Sequence, residues 1–356
     1  MSNPTKPAHQ KISFVTAKDG TRIAVARMGK GPTILKAGNW LSHATHDGES
    51  PIWRHWLQEL SRDHQFIRYD LRGCGLSDRD VEDISFDAWL SDLEAVADII
   101  DGPVTLLGLS QGCALSIAFA LRHPQKVERL ILIGSYAQGM LARGDATNAQ
   151  LEADTLANLV RLGWGKEVQA FNQVFTHLFV PSGTPEQHSW WRRLERESAS
   201  PEIALRTLEI LHKIDVLADA AKLDVPALIF HANDDARIPF DEGRKLAAVI
   251  AGAQFVALDT ANHILLENEP AWEVFLKTFR AFLPETRTHR PVRAAYHLTN
   301  AEEDVVALVA KGMGNHEIAA TLRKSEKTVR NQITVALGKV GVRSRSELIV
   351  KVLSDG

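Results

Sequence analysis

The most constraining feature of this chain is a serine between two glycines, at the junction of two different apolar patterns. Gly108-Leu-Ser-Gln-Gly112 follows the mainly apolar run Val104-Thr-Leu-Leu107 and precedes Cys113-Ala-Leu-Ser-Ile-Ala-Phe-Ala120, which favours a helix. A short apolar run of this kind is typical of a buried strand. Small residues at both ends of the pentapeptide permit a sharp, strained turn. The segment therefore predicts a strand, a turn that exposes the Ser110 hydroxyl, and a helix N-terminus behind it.

Most of the first 283 residues alternate short apolar runs with helical patterns. This alternation predicts an α/β fold with a mostly parallel sheet and crossover helices. From about residue 137 to 214 the alternation stops, and helical patterns rich in Leu, Ala and Trp replace it, which indicates a helical cap over the strand ends. The candidate strands are Ile12–Thr16, Thr21–Met28, Thr33–Ala37, Gln65–Tyr69, Val104–Leu109, Val127–Ile133, Ala227–His231 and Phe255–Leu258.

Ser110 has suitable catalytic partners further along the chain. A serine hydroxyl is a poor nucleophile unless a base removes its proton and a carboxylate orients that base. Asp235 comes just after the candidate strand Ala227–His231, and His263 comes after the candidate strand Phe255–Leu258. Loops at these places can bring both side chains over Ser110, so the sequence predicts a Ser110-Asp235-His263 triad.

Over roughly residues 10–283 the chain resembles the α/β-hydrolase superfamily. The family's acid precedes a Val/Ile-Pro pair by three residues, a spacing that Asp235 meets and Asp234 misses by one. The family's histidine precedes a proline by about seven residues, as His263 precedes Pro270. The segment Asp70-Leu-Arg-Gly-Cys-Gly-Leu-Ser77 resembles a loop motif of the family. The resemblance implies that Ser110, Asp235 and His263 are the catalytic residues.

The chain departs from the family at the loop after the third strand. Many members have His-Gly there, whereas this chain has Lys36-Ala-Gly-Asn-Trp40. The expected oxyanion hole therefore combines the Gln111 N–H with an N–H or a side chain from Asn39 or Trp40. A serine nucleophile favours ester, lactone, thioester or amide chemistry. Because a sensor can retain a triad merely as a ligand pocket, turnover and simple binding stay open as alternatives.

The C-terminal part of the chain differs in charge and in pattern. Residues 284–356 hold 12 Lys and Arg against 8 Asp and Glu, a net charge of +4, while the preceding residues carry a net charge of −7. Residues 284–297 combine two prolines with charged residues and lack an apolar period, which predicts an interdomain linker. Residues 298–356 show only helical periodicity, so they predict a small all-α domain.

Two of the helical patterns in this small domain are joined by a short turn. Ser325 is a candidate N-cap of the second pattern, whose apolar residues repeat at helical spacing from Val329 to Val340. Two short helices joined in this way let the second enter the major groove of DNA. Arg pairs bidentately with guanine and Asn with adenine. The outward side chains of the second pattern are Lys327, Arg330, Asn331 and Thr334.

Residues 298–353 resemble the LuxR-type helix-turn-helix almost without gaps. The motifs are Leu298-Thr-Asn-Ala-Glu-Glu303, Val306-Ala-Leu-Val-Ala-Lys-Gly312, Asn315-His-Glu-Ile-Ala319, Ser325-Glu-Lys-Thr-Val329 and Lys339-Val-Gly-Val-Arg-Ser-Arg345. By position, the resemblance implies base contacts from Arg330, Asn331 and Thr334. It implies phosphate contacts from Lys327, Thr328 and Lys339. The expected partner is double-stranded DNA, bound by a homodimer, because one short helix makes few contacts.

Several other classes of protein are not favoured. The chain has no run of about 18 apolar residues and no apolar signal-peptide stretch at its start, so a cytoplasmic protein without a membrane contact is expected. Its two cysteines, Cys74 and Cys113, have no metal-ligand spacing. His43 and His46 are loop histidines, which more often face solvent or donate hydrogen bonds than bind a metal. We therefore predict no metal and no cofactor.

Together the patterns predict a ligand-responsive transcription regulator. Residues 1–283 are the predicted α/β-hydrolase sensor with its cap, 284–297 the linker, and 298–356 the LuxR-type domain. The expected ligand is a small acyl ester or lactone. One alternative is an active serine esterase or lactonase whose tail tethers it to DNA. Another is a pure binding module with a vestigial triad.

Overall fold

The computed structural model describes residues 10–40, 42–143, 146–166, 169–283, 296, 298–310, 312–322 and 324–355. The chain divides into two compact units, Met1–Pro284 and Glu285–Gly356. The predicted linker, residues 284–297, lies outside the described residues apart from Tyr296.

The larger unit is built on an eight-stranded sheet. The strand order is β1-β2-β4-β3-β5-β6-β7-β8. β1 and β2, and β2 and β4, pair antiparallel, and the other neighbours pair parallel. The predicted α/β architecture with a mostly parallel sheet is therefore confirmed, and the ends of the strands lie within one residue of those predicted. The strands are β1 (Lys11–Thr16), β2 (Arg22–Met28), β3 (Thr33–Lys36), β4 (Gln65–Tyr69), β5 (Val104–Leu109), β6 (Val127–Ile133), β7 (Ala227–Ala232) and β8 (Gln254–Leu258).

Helices connect and cover these strands. Every residue of β5 and of β7 is buried, as expected for parallel strands covered on both faces. The described helices of the larger unit are α1 (Arg54–Leu60), α2 (Phe86–Asp98), α3 (Gln111–Arg122), α4 (Ala146–Gly163), α5 (Gln169–Phe179), α6 (Pro185–Ser198), α7 (Pro201–Leu211), α8 (Leu217–Ala220), α9 (Phe240–Val249) and α10 (Pro270–Phe282).

The helices α4 to α7 form a cap inserted between β6 and β7. The chain enters and leaves this cap through two segments that are held together by backbone hydrogen bonds. The Gly139 N–H donates to the Ile214 carbonyl at 2.6 Å, and the Val216 N–H donates to the Ala137 carbonyl at 2.8 Å. A Cβ on Gly139 would lie 2.3 Å from the Leu211 carbonyl oxygen, so this close approach requires glycine. The two ends of the cap insertion are thus held next to each other.

A buried ion pair fixes the loop after β4 against α2. The Arg72 guanidinium donates to both carboxylate oxygens of Asp92, at 2.9 and 2.6 Å, and its side chain is 1 % exposed. It also donates to Asp19 at 2.6 Å. Bidentate pairs of this kind combine charge with a fixed geometry. The loop residues 70–77, identified by their motif, are therefore anchored from both sides.

We expect Asp92→Ala to lower the free energy of unfolding of the larger unit by about 3 kcal/mol, because it removes one partner of a buried pair. Asp87→Ala on the same helix is the matched control. The Asp87 side chain is 83 % exposed and bonds Arg122 at 3.1 Å, so its loss costs less than about 1 kcal/mol. All eight tryptophans precede residue 284, so tryptophan fluorescence in a urea titration reports on this unit alone. Equal midpoints for the two variants would contradict the prediction.

The smaller unit is a bundle of helices with its own core. The helices are α11 (Asn300–Ala310), α12 (Asn315–Leu322), α13 (Glu326–Val340) and α14 (Arg345–Asp355). The Ser325 hydroxyl caps α13 by accepting from the Thr328 N–H at 3.1 Å, and Gly341 ends that helix with a φ of 74°. The buried core includes Leu298, Val305, Val306, Val309, Ile318, Val329, Ile333, Ala336, Val340, Leu348 and Val352.

Candidate active site and nucleic-acid interface

The turn between β5 and α3 holds Ser110 in a strained conformation. Ser110 has a φ of 52° and a ψ of −121°, and it is the only non-glycine with a positive φ in the described parts of the chain. A Cβ on Gly108 would lie 2.7 Å from the Cys113 Cα, and one on Gly112 would lie 3.2 Å from the Gly38 carbonyl oxygen. The two glycines therefore allow the backbone to pass close to itself and to the loop after β3. The sequence predicted this tight turn.

Asp235 and His263 meet at the carboxyl end of the sheet, where the loops after β7 and β8 lie side by side. His263 Nδ1 lies 2.7 Å from Asp235 Oδ2, and both side chains are completely buried. The other carboxylate oxygen of Asp235 accepts from the backbone N–H groups of Arg237 and Ile238, each at 2.9 Å. The carboxylate is thus fixed on one side by its own loop and orients the imidazole on the other.

The charge of Asp235 is supported by its neighbours. Burial alone would raise the pKa of Asp235, but the adjacent His263 and the Ile238 N–H lower that pKa below its usual value overall. Gly134, at the end of β6, has a φ of 55°, and a Cβ there would lie 2.6 Å from the His263 ring. The imidazole therefore packs directly on a glycine backbone, which leaves it little freedom to rotate.

Ser110 and His263 line the same narrow pocket. Gln111, Asn39 and Trp40 line it as well, whereas Asp235 lies behind the histidine. His263 Nε2 is buried and has no hydrogen-bond partner among the described residues, so it makes no bond to Ser110. Such bonds are often long until a ligand binds. The structure therefore places the predicted residues Ser110 and His263 in one pocket without a hydrogen bond between them.

The geometry narrows the choice of oxyanion donors. Gln111 is the first residue of α3, where the N–H has no acceptor within the helix. The Trp40 N–H, one of the expected donors, instead donates to Gln111 Oε1 at 3.0 Å. The Asn39 side chain is also engaged, since it donates to the Trp40 carbonyl and accepts from Lys36. This leaves the backbone N–H of Asn39 as the better second donor.

Several residues of the pocket were not singled out from the sequence as a site. Phe179 and Trp191 of the cap pack on each other with centroids 4.8 Å apart, and the Phe179 ring lies 5.6 Å from that of His263. The tryptophan-rich cap was the only sequence signal for this wall. The remaining residues that line the pocket and were missed are Leu109, Tyr136, Leu211, Arg237 and Ile264.

The cap wall contains a buried carboxyl group. Trp191 Nε1 donates to Glu195 Oε1 at 3.0 Å, and the Glu195 side chain lies inside the cap. Burial raises the pKa of Glu195 from its usual 4.5 to about 8. The protonated form is therefore favoured in the folded protein, while the unfolded chain ionises at a much lower pH.

We expect Glu195→Gln to stabilise the protein at pH 8 and to have little effect near pH 5. Because the folded pKa is raised, the wild-type unfolding free energy falls as pH rises from about 4.5 to about 8, by roughly 1 kcal/mol per unit. Glutamine keeps an acceptor for Trp191 and does not ionise. The measurement is Tm by tryptophan fluorescence across this range. Glu202, whose side chain is 79 % exposed, provides the control variant Glu202→Gln. A Tm difference between Glu195→Gln and wild type that does not grow with pH would contradict the prediction.

In the smaller unit, α13 presents the side chains expected to read DNA. Lys327, Arg330 and Asn331 are exposed, and their side chains have no hydrogen bond or ion pair among the described residues. Thr334 is exposed too, and its hydroxyl donates to the Arg330 carbonyl at 3.0 Å. The opposite side of α13 is buried in the core through Val329 and three further residues. The helix therefore offers a cation and an amide in adjacent positions on an open face.

Two of the residues expected at phosphates are already engaged. Lys339 Nζ lies 2.6 Å from Glu302 Oε2, which lowers the pKa of Glu302 below its usual value. The Thr328 hydroxyl is 2.8 Å from that of Ser325 and belongs to the cap of α13. Lys339 thus joins α13 to α11, and a phosphate contact from it requires that pair to be shared or broken.

The described residues contain no group of three or more His, Cys, Asp and Glu arranged to hold a metal ion. Within the same part of the chain, each helix is too short or too polar to cross a membrane. Cys74 and Cys113 are buried free thiols, and burial raises the pKa of each.

Two protein-family models match separate parts of the chain. Residues 45–270 match the model of the alpha/beta hydrolase fold, and residues 296–352 match that of bacterial regulatory proteins of the luxR family. The chain is 25 % identical to the AB hydrolase superfamily protein YisY of Bacillus subtilis (strain 168), over 70 % of this chain and 91 % of that protein. It is 25 % identical to the pimeloyl-[acyl-carrier protein] methyl ester esterase of Nitrosomonas europaea, over 73 % and 98 %. A solved structure, the esterase EaEST from Exiguobacterium antarcticum, superposes with a TM-score of 0.65 at 23 % identity, over 76 % and 98 %.

Proposed function

Because the chain belongs to the α/β hydrolase fold family and carries a LuxR-type DNA-binding domain in its C-terminal part, we propose that it is a transcription regulator. Its hydrolase-fold domain binds a small acyl ester or lactone in the pocket above Ser110. The buried Asp235–His263 pair at 2.7 Å is the observation on which the chemical part of this proposal rests. It is an orientation device that a simple binding pocket does not need.

The proposed chemistry at this pair is acyl transfer to Ser110. Asp235 stays ionised and holds the imidazole so that Nε2 faces the pocket. His263 Nε2 takes the Ser110 proton as the serine oxygen attacks the carbonyl carbon, and the negative oxygen is held by the N–H groups of Gln111 and Asn39. The alcohol leaves with the proton from His263. Water, activated by the same histidine, then releases the acid and restores Ser110.

The pocket walls favour an acyl compound of modest size. Phe179, Trp191 and Trp40 supply apolar surface beside the nucleophile. An ester is also the substrate class in the name of the Nitrosomonas relative, a methyl ester esterase. An active esterase with a tethering tail has the same site. No observation favours it over the regulator, because residues 296–352 match the luxR-family model and α13 exposes Lys327, Arg330 and Asn331.

We expect slow multiple-turnover hydrolysis of short methyl esters and lactones that Ser110→Ala reduces by at least about a thousandfold. Proton release in a pH-stat measures it, with both proteins assayed in one series. Asp234→Asn is the matched control, since Asp234 neighbours Asp235 without contacting His263, and it should keep its activity. A Ser110→Ala protein as active as wild type would exclude the serine mechanism. Ligand binding without hydrolysis would leave the receptor role alone.

The cap is connected to the catalytic histidine on both sides of that residue. The Ile264 N–H donates to the Phe179 carbonyl at 3.1 Å, and the Ser182 N–H donates to Asn262 Oδ1 at 3.0 Å. A ligand that shifts the cap therefore also shifts the His263 loop. In the proposed regulator this displacement is the signal, and it alters how two DNA-binding domains pair on half-sites.

We expect Arg330→Ala and Asn331→Ala each to weaken specific DNA binding by about 5- to 150-fold, because each removes a bidentate base contact. The probe is a duplex selected by the wild-type protein from a random-sequence library, with random DNA as the competitor. Lys327→Ala is the comparison. Because Lys327 is expected to contact a phosphate, its loss should weaken binding to both DNAs similarly and reduce the slope of log K against log salt concentration by about one. Unchanged preference for the selected duplex in the Arg330 and Asn331 variants would show that α13 does not read bases.

A further inference from the structure

Arg237 is a half-buried cation in the Ser110 pocket with no direct ion-pair partner among the described residues. Its side chain lines the pocket together with Ser110 and His263, and it has no hydrogen bond or ion pair among the described residues. The two arginines of the larger unit that are deeply buried, Arg68 and Arg72, are paired. Arg68 bonds Asp47 at 2.8 Å, and Arg72 bonds Asp92 at 2.6 Å. Arg237 is therefore an exception to the rule that this chain otherwise follows.

The carboxylates around Arg237, Asp235 and the exposed Glu152, act on it from a distance and form no ion pair with it. The nearest carboxylate in sequence, Asp235, is already engaged by His263 and by backbone N–H groups. Arg143 adds a second positive charge nearby, and Glu242 lies 3.9 Å from that arginine. Burial, with the two arginines, lowers the pKa of His212 to about 4, so that side chain is neutral at pH 7. The pocket is thus cationic on the side that Arg237 lines.

A guanidinium in such a place is costly unless something pairs with it. Burial, reinforced by Arg143, also lowers the pKa of Arg237 below its usual value, the direction expected for a cation whose charge is poorly compensated. The backbone N–H of Arg237 is fixed to Asp235 at 2.9 Å. The backbone that carries this side chain is consequently held at a set position relative to Asp235 and His263.

We propose that the ligand of this pocket carries a carboxylate, which Arg237 binds as a planar two-pronged partner. This inference rests on the proposed function and narrows it: the ester or lactone is one with a second, free carboxylate group, such as a monoester of a dicarboxylic acid. The fork geometry of the guanidinium matches a carboxylate, and such pairs are among the strong polar contacts in proteins. The carbonyl carbon then lies at Ser110 and the carboxylate at Arg237.

The test compares pairs of methyl esters that differ only in the far end of the acyl chain. Monomethyl succinate, glutarate and adipate carry a carboxylate where methyl butyrate, valerate and hexanoate carry a methyl group. Wild type is expected to show a kcat/KM for the best carboxylate ester at least about tenfold above that for its neutral partner. Arg237→Gln should lose about 10- to 100-fold on the carboxylate ester and stay within about threefold on the neutral one. Arg237→Lys should keep part of the preference.

A matched control removes a nearby arginine that does not line the pocket. Arg244 in α9 is exposed and bonds Asp241 at 3.1 Å, so Arg244→Gln should leave the preference for carboxylate esters intact. A single cooperative unfolding transition with a Tm at or above that of wild type establishes that each Arg237 variant is folded, since Arg237→Gln removes a charge that costs stability.

The outcomes separate this inference from the proposed function. Hydrolysis of neutral esters without any preference, or a preference that survives in Arg237→Gln, would overturn the carboxylate site and leave the hydrolase standing. If nothing is hydrolysed, the same esters are titrated against Ser110→Ala by quenching of tryptophan fluorescence. Binding of the carboxylate esters that Arg237→Gln abolishes supports the site without turnover, and the absence of such binding overturns it.

Discussion

The close backbone approach at Gly108–Gly112 is the constraint on which the site depends. It turns the chain out of a fully buried strand, imposes a positive φ on a residue that carries a side chain, and presses α3 against the loop after β3. That contact places Gln111 and Asn39 beside the nucleophile. The same helix start leaves backbone N–H groups without partners. Strain of this kind, on the order of 1–3 kcal/mol, persists because the surrounding sheet and helix leave the turn no alternative.

The second fixed point is the buried pair of Asp235 and His263, and it differs from the first in what holds it. The Ser110 turn is held by the sheet and α3. The histidine loop is held partly by the cap, through the hydrogen bonds of Ile264 and Asn262. Each such bond contributes roughly 0.5–1.5 kcal/mol. A cap that moved away from the sheet would therefore disturb the base while the nucleophile stayed in place. One domain in this way combines a turn held by the sheet and a histidine loop held partly by the cap.

How much of this could be predicted from the sequence depends on the range of the interactions. The strands were predictable because buried parallel strands are continuously apolar. The Ser110 turn was predictable because the glycines that permit it lie close to the serine in the sequence. That Asp235 and His263 lie at neighbouring strand ends was predictable because each comes directly after a strand, and the catalytic role of the two residues stays a prediction. Three features were not. The Trp40 N–H is occupied by Gln111, 71 residues away, Lys339 is paired with Glu302, 37 residues away, and Arg237 lines one pocket with Phe179 and Trp191 of the cap. No local pattern encodes such long-range pairings.

Arg237 and Arg72 show how the same residue type stabilises the fold in one place and opposes it in another. Arg72 has two carboxylates and fixes a loop, so its burial is compensated within the chain. Arg237 is left without a partner beside the catalytic pair, and the folded protein bears the cost of desolvating it. A protein whose cation is compensated only by its ligand gains stability when the ligand binds, by an amount that grows with ligand concentration. In the proposed carboxylate site, the same gain would favour the arrangement in which Arg237, the His263 loop and the cap residues Phe179 and Trp191 line one pocket. The unpaired charge of Arg237 would then be a physical means of coupling ligand binding to the conformation of the domain.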